Sequence, residues 1–212
     1  MIEDVLPQKA LNLIDKLVIQ LDAFYLAGGT ALAMQLGHRI SEDLDFFVDR
    51  AFDAEALKNR ILPDRVSSIR PGTLHCVKEG VRLSFLFYDV PLCFPPHLWR
   101  GMKVASWQDI VAEKIKTMSQ RGAKKDFYDI YAVIMLKSDI REVCKLFLKR
   151  FEHTDINLYH VLKSLVYFED AEEDPHPTIL NNNKEWSWDS VRRFFETHVK
   201  DFEAALINGS GN

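Results

Sequence analysis

Cysteine is scarce: the 212 residues hold three, Cys76, Cys93 and Cys144, odd in number and far apart. That argues against a disulfide framework and a cysteine-built zinc site, and points to buried free thiols. No apolar run approaches the length of a membrane span, and the start Met1-Ile2-Glu3-Asp4 is unlike the basic opening of a signal peptide. A cytoplasmic location with no membrane partner is therefore expected. Positive charge is short as well: 27 Lys and Arg against 31 Asp and Glu give a formal net charge of −4. Such a balance argues against a protein that grips nucleic acid with its whole surface. It leaves room for a local basic rim, which is all a small nucleotide needs. The histidines lack metal-ligand spacing, and repeats and low-complexity blocks are absent. At 47% hydrophobic residues, the chain suffices for one well-cored domain, alone or with a helical extension.

What is present centres on Leu26 to Val48. An apolar run, Phe24 to Ala27, meets Gly28 and Gly29, and Thr30 opens a helix expected to stop at Gly37. Glycines there let the backbone turn sharply, and amides at a helix start form a ready anion site. Asp43-Leu44-Asp45-Phe46-Phe47 then reads as a strand. Alternation puts Asp43 and Asp45 on one face and Leu44, Phe46 and Val48 on the other. Adjacent carboxylates repel unless a cation sits between them. Hard oxygen ligands beside a phosphate-sized anion site suit Mg²⁺, or Mn²⁺ in its place. A solvated strand face beside a glycine turn is the plainer alternative; the order of the two motifs, with a helix between, favours a phosphate-and-metal site.

The string G-G-T-x12-D-L-D resembles the signature of the DNA polymerase β-like nucleotidyltransferase superfamily. Within it, A-G-G-T-A-L-A followed by S-E-D-L-D-F-F is similar to the AbiEii/AbiGii branch, which includes abortive-infection toxins and related toxins that transfer nucleotides. R-G-x-K-K-D-F-Y-D-I-Y from Arg121, V-Y-F-x-D-A-E-x-x-P-x-P from Val166, and Trp186 with Phe194-Phe195 are also similar to that family's wording, so the resemblance covers nearly the whole chain. It implies an α+β fold: a small mixed-sheet nucleotidyltransferase core over residues 1–98, then a helical half, 99–212, closing the cleft. It also implies Gly28, Gly29 and Thr30 around an NTP triphosphate, with Asp43 and Asp45 as metal ligands.

The same resemblance places a third metal carboxylate on the strand Val81–Phe87, where the matching position is Ser84. Ser84 can hydrogen-bond but supplies no charge. Two aspartates then suffice, or Asp89 compensates, or metal chemistry is weakened, or Ser84 is an ordinary half-exposed strand serine. In the helix over Ser106–Arg121, Lys114 falls within the apolar stripe of Trp107, Ile110, Val111, Ile115 and Met118. It either snorkels to water from the stripe edge or reaches phosphate, and the resemblance favours phosphate. Asp126 and Asp129 share one face of the next helix. They read as an N-cap and a first-turn acid, or, by resemblance, as groups that organise nucleotide or metal. A pairing of Asp126 with Lys114 would satisfy both charges.

Elsewhere the periodicity predicts helices over Leu6–Leu21, Asp53–Leu62, Asp139–Phe151, Asn157–Phe168 and Trp188–Leu206. Lys145, Lys149 and Arg150 are placed on the polar side of the third. Thr73–Lys78 and Val81–Phe87 form a hairpin through Glu79-Gly80. Pro91 to Pro96 reads as a connector before a boundary near Trp99–Met102, the acidic Glu169–Pro175 as a solvated loop, and Asn208–Asn212 as an unstructured tail. The resulting expectation is metal-dependent transfer of a nucleoside monophosphate from NTP to an acceptor hydroxyl. The resemblance implies tRNA as the acceptor and a cognate antitoxin as a partner. The alternatives are an NTP-binding protein without transfer activity, and an interaction module with a vestigial cleft.

Overall fold

The computed structural model describes residues 1–180 and 186–208. The chain divides into two compact units, Met1–Ser106 and Trp107–Asn212. The first is built on a mixed sheet of β1 (Tyr25–Ala27), β2 (Leu44–Val48), β3 (Arg65–Arg70), β4 (Thr73–Lys78), β5 (Val81–Phe87), β6 (His97–Trp99) and β7 (Met102–Val104). Their spatial order is β3-β4-β5-β2-β1-β7-β6. β2 runs antiparallel to β1 and parallel to β5, and β1 runs parallel to β7. The sheet's buried face is apolar: Leu44, Phe46 and Val48 from β2 meet Leu83 and Phe85 from β5, with the Phe46 and Phe85 rings stacked 5.1 Å apart.

Three α-helices accompany the sheet: α1 (Gln8–Leu17), α2 (Gly28–Leu36) and α3 (Ala54–Ile61). α1 is shorter than its apolar period. Pro7 stands at its N-cap, and after Leu17 the chain tightens into a 3₁₀ turn, Val18–Gln20. α2 stops at Gly37, whose φ of 68° is the left-handed C-terminal turn read from sequence. Asp53 caps α3 as expected, its carboxylate accepting from the Glu55 and Ala56 amides. The β4–β5 hairpin turns through Glu79 and Gly80, both at positive φ.

β3, β6 and β7 are additions to the sequence reading. β3 is mostly exposed and so lacks apolar alternation. β6 and β7 have three residues each, too few for a period. They turn through Arg100 and Gly101, again at positive φ, at the place where residues 98 and 99 were expected to separate two domains. The first unit instead runs on to Ser106 because this hairpin pairs with β1.

The second unit is helical among its described residues: α4 (Trp107–Met118), α5 (Lys124–Leu136), α6 (Ile140–Arg150), α7 (Leu158–Ser164), α8 (Glu169–Glu172), α9 (Trp188–Thr197) and α10 (Val199–Glu203). The side chains of Asp139, Asn157 and Ser187 cap α6, α7 and α9. Phe127 anchors the core, its ring 5.0 Å from Phe168, 5.5 Å from Trp188 and 5.3 Å from Phe195. The expected helix Trp188–Leu206 is broken at His198, whose Nδ1 bonds Asp201, and it ends in a π turn, Ala204–Asn208. Of the expected unstructured tail, residues 209–212 lie outside the described residues. Among the described residues no helix is long and apolar enough to cross a membrane.

Candidate functional site

The chain leaves β1 at Ala27 and turns into α2 at Gly28, where φ is +66°. No side chain caps the first turn of α2, so its leading amides lack a side-chain acceptor. A Cβ at Gly28 would sit 2.8 Å from Asp45 Oδ2. Glycine is needed here for conformation and for space, because the carboxylate lies against the backbone. The register explains the approach: Ala27 pairs with Asp45 across β1 and β2.

On its other side Asp45 pairs with Ser84 of β5. The sheet thus brings Gly28, Asp43, Asp45 and Ser84 together on one face, with Gly29 following in the turn. Both aspartates are half-buried. Asp43 Oδ1 accepts from Arg82 Nε at 2.6 Å. That bond, and the Asp43 charge behind it, hold the guanidinium pKa above its ordinary value. The sequence reading put Arg82 on the same face of this strand as Ser84, by alternation, but gave it no role.

Thr30 is engaged differently from the phosphate-binding hydroxyl expected of it. It is 1% exposed. Its hydroxyl meets Ser41 Oγ at 2.7 Å and donates to the Asp43 carbonyl, bolting α2 to the entry of β2. Its part in positioning is therefore to fix the backbone that carries Asp43. Among the described residues no group of three His, Cys, Asp or Glu side chains could hold a metal, so Asp89 does not complete a third ligand. Two carboxylates remain, a donor set that fits Mg²⁺, which takes one or two carboxylates with water and substrate phosphate supplying the rest.

The remaining predicted residues form a second group, within the helical unit. Lys114 Nζ lies 2.5 Å from Asp126 Oδ1 and 2.7 Å from Asp129 Oδ2. Lys114 is 7% exposed and both aspartates are fully buried, so the lysine does not snorkel to water. The pairing of Lys114 with Asp126 read from sequence is present, and Asp129 joins it. Capping is not: α5 follows Ala123 with no side-chain cap, and Asp126 turns inward. Asp126 Oδ2 is buried without a hydrogen-bond partner among the described residues.

Two further buried cations correct the sequence reading. Arg150 is not on the polar side of α6. It is buried, with Nη1 2.6 Å from Asp109 Oδ1 and Nε 2.7 Å from Glu113 Oε1. Lys124 is buried too, donating from Nζ to the Asp174 and Glu172 carbonyls at 2.6 and 3.1 Å. Its backbone amide donates to Asp174 Oδ2. The acidic segment expected to be merely solvated therefore holds the start of α5.

The model for the family described as "Nucleotidyl transferase AbiEii toxin, Type IV TA system" matches residues 15–82 and 81–208. An uncharacterized protein of Aquifex aeolicus is 37% identical over 189 residues, covering 84% of this chain and 87% of that relative. Among solved structures, the nucleotidyltransferase toxin MenT4 of Mycobacterium tuberculosis H37Rv has a similar fold, with a TM-score of 0.58 at 20% identity over 93% of this chain and 90% of that one. JHP933 of Helicobacter pylori is similar at a TM-score of 0.53 and 17% identity, over 97% and 96% of the two chains.

Proposed function

The chain belongs to the AbiEii nucleotidyltransferase toxin family, and from that premise we propose that it transfers a nucleoside monophosphate from an NTP to an acceptor hydroxyl, with Mg²⁺ or Mn²⁺ held by Asp43 and Asp45. The observation that carries this reading is the packing of the Asp45 carboxylate against the Gly28 backbone at the uncapped start of α2. It sets hard anionic ligands beside backbone amides, as a metal-bound triphosphate requires.

In the reaction, the acceptor oxygen forms a bond to the α-phosphorus. The bond from that phosphorus to the bridging oxygen breaks, pyrophosphate leaves with its electron pair, and the hydroxyl proton passes to water. A bound Mg²⁺ would stabilise charge on the attacking and leaving oxygens. The turn at Gly28 and Gly29 orients the phosphates, and Thr30 holds Asp43 in place. By analogy with the family we assign Asp126 to organising nucleotide or metal; its carboxylate is fully buried within the helical unit. Lys114 and Asp129 fix its position and charge.

For the acceptor we propose tRNA, and for the partner a cognate antitoxin, by analogy with the family. We propose a cytoplasmic setting; among the described residues no helix is long and apolar enough to cross a membrane. Ser84, opposite Asp45 where a third carboxylate would stand, favours a second reading: a protein that binds NTP without transferring it.

One assay separates the two. The protein is incubated with Mg²⁺, each labelled NTP in turn and total tRNA, beside the Asp43→Ala/Asp45→Ala variant. Label on RNA with the wild type alone establishes transfer and names the nucleotide. An NTP-dependent rise in Tm without label, lost in the variant, establishes binding only. Neither signal overturns both readings.

A further inference from the structure

The face that carries Asp43 and Asp45 holds a cation of its own. β5 alternates, so Arg82 and Ser84 project to the same side. Parallel pairing sets Leu44 beside Leu83 and Asp45 beside Ser84, which brings Arg82 alongside Asp43. Its Nε donates to Asp43 Oδ1 at 2.6 Å, and no other hydrogen bond engages the guanidinium among the described residues. The side chain is 71% exposed. Nη1 and Nη2 are therefore an open fork, the geometry that takes two phosphate oxygens at once.

The charges around this fork limit what else the site accepts. Asp43 and Asp45 bring two negative charges and Ser84 brings none. Arg82 offsets one of the two, and the aspartates then retain the charge and the ligands for a single divalent ion. We propose that Arg82 takes the place of a second metal ion: it neutralises Asp43 and receives the β- and γ-phosphates of the NTP, while the site binds one divalent cation. The inference rests on the nucleotidyltransferase reading above and adds the group that meets the leaving pyrophosphate. As the bond from the α-phosphorus to the bridging oxygen breaks and its electron pair leaves with pyrophosphate, the guanidinium faces the oxygens on which that charge collects.

The test counts ions on the full chain. Bound Mn²⁺ is measured by electron paramagnetic resonance, with Asp43→Ala/Asp45→Ala as the baseline. The wild type is expected to hold one ion above that baseline, and an Arg82→Ala/Ser84→Asp variant two. Binding of inorganic pyrophosphate in the presence of Mn²⁺ is followed by calorimetry. Arg82→Ala is expected to weaken it by roughly ten- to a hundred-fold, the range of a charge-assisted hydrogen bond, with Arg82→Lys recovering part. Because the Arg82 side chain is exposed, Arg82→Ala is expected to keep the wild-type circular dichroism melt, so this arm stands even if the double variant fails to fold. Two ions on the wild type, or unchanged pyrophosphate affinity in Arg82→Ala, overturn the inference and leave the nucleotidyltransferase reading intact. No aspartate-dependent ion on the wild type overturns the metal reading and this inference together.

Discussion

Asp45 occupies the space that a side chain on residue 28 would need: its Oδ2 lies 2.8 Å from the Cβ position of Gly28, a residue at φ +66°. Gly28→Ala is expected to cost about 1–2 kcal/mol for the left-handed backbone alone and also to displace the carboxylate. Gly37→Ala is the matched control. It has φ +68°, but its Cβ would meet only the far end of the Ile2 side chain. Both variants should lose stability in urea unfolding, whereas only Gly28→Ala should lose Mn²⁺ binding. Equal loss of Mn²⁺ in the two would show that strain, not the Asp45 contact, matters.

Lys114 is the cation between two fully buried aspartates. Lys114→Met should remove about 3–5 kcal/mol of stability, because it strands two buried carboxylates. The loss is to be read from denaturant unfolding followed by tryptophan fluorescence, since Trp188 sits in the same helical unit. A loss below about 1 kcal/mol, the scale of an exposed pair, would refute the buried-triad account.

Two arginines with carboxylate partners should behave oppositely. Arg150, buried against Asp109 and Glu113, should cost about 3–5 kcal/mol as Arg150→Met. Arg82, exposed beside Asp43, should cost about 0–1 kcal/mol as Arg82→Ala. Chemical denaturation of the two variants side by side decides the contrast.

Burial pushes the Cys76 thiol up to about 11 and, together with the Asp139 charge, the Cys144 thiol up to about 12. Near pH 8 a thiol titrating at about 11 is ionised in roughly one molecule in a thousand. Only half-buried Cys93 is therefore expected to react with a thiol-specific chromogenic disulfide until the protein is unfolded, when three thiols react. The same shifts set a pH dependence. The unfolded thiols titrate near 9.0 and the folded ones higher, so the stabilising contribution is complete below about pH 9 and is lost as pH rises through the folded values. Tm measured from pH 8 to 11 should fall over the upper part of that range.

The acidic strand, the stop at Gly37 and the hairpin at Glu79 and Gly80 were legible because each depends on residues close in sequence. So was the pairing of Lys114 with Asp126, since adjacent helices twelve residues out of step leave few other partners. Arg150 and Lys124 were not legible. Their partners lie 41 and 50 residues away, and a helical period reports only the face of its own helix. β6 and β7 were hidden by their length, for three residues carry no alternation. At the candidate site the reading reached the aspartates and Ser84 and, by the same two-residue spacing, put Arg82 on the face of Ser84, but gave it no role. Thr30 was noticed for its hydroxyl, and its place in the fold turned on Ser41, which stood in the S-E-D-L-D-F-F string without a role.

The sheet's connections also order events as the chain is made. β2 can close on β1 as soon as Val48 has emerged from the ribosome, and β5 adds beside it once Phe87 follows. The far side of β1 must wait for Lys103 and Val104. Asp43 and Asp45 are thus in register, with Arg82 and Ser84 alongside, while β1 still presents an unpaired edge. A nascent chain that has emerged only as far as the proline-rich stretch between β5 and β6 holds a half-sheet with its acidic face complete and that edge open to any passing strand.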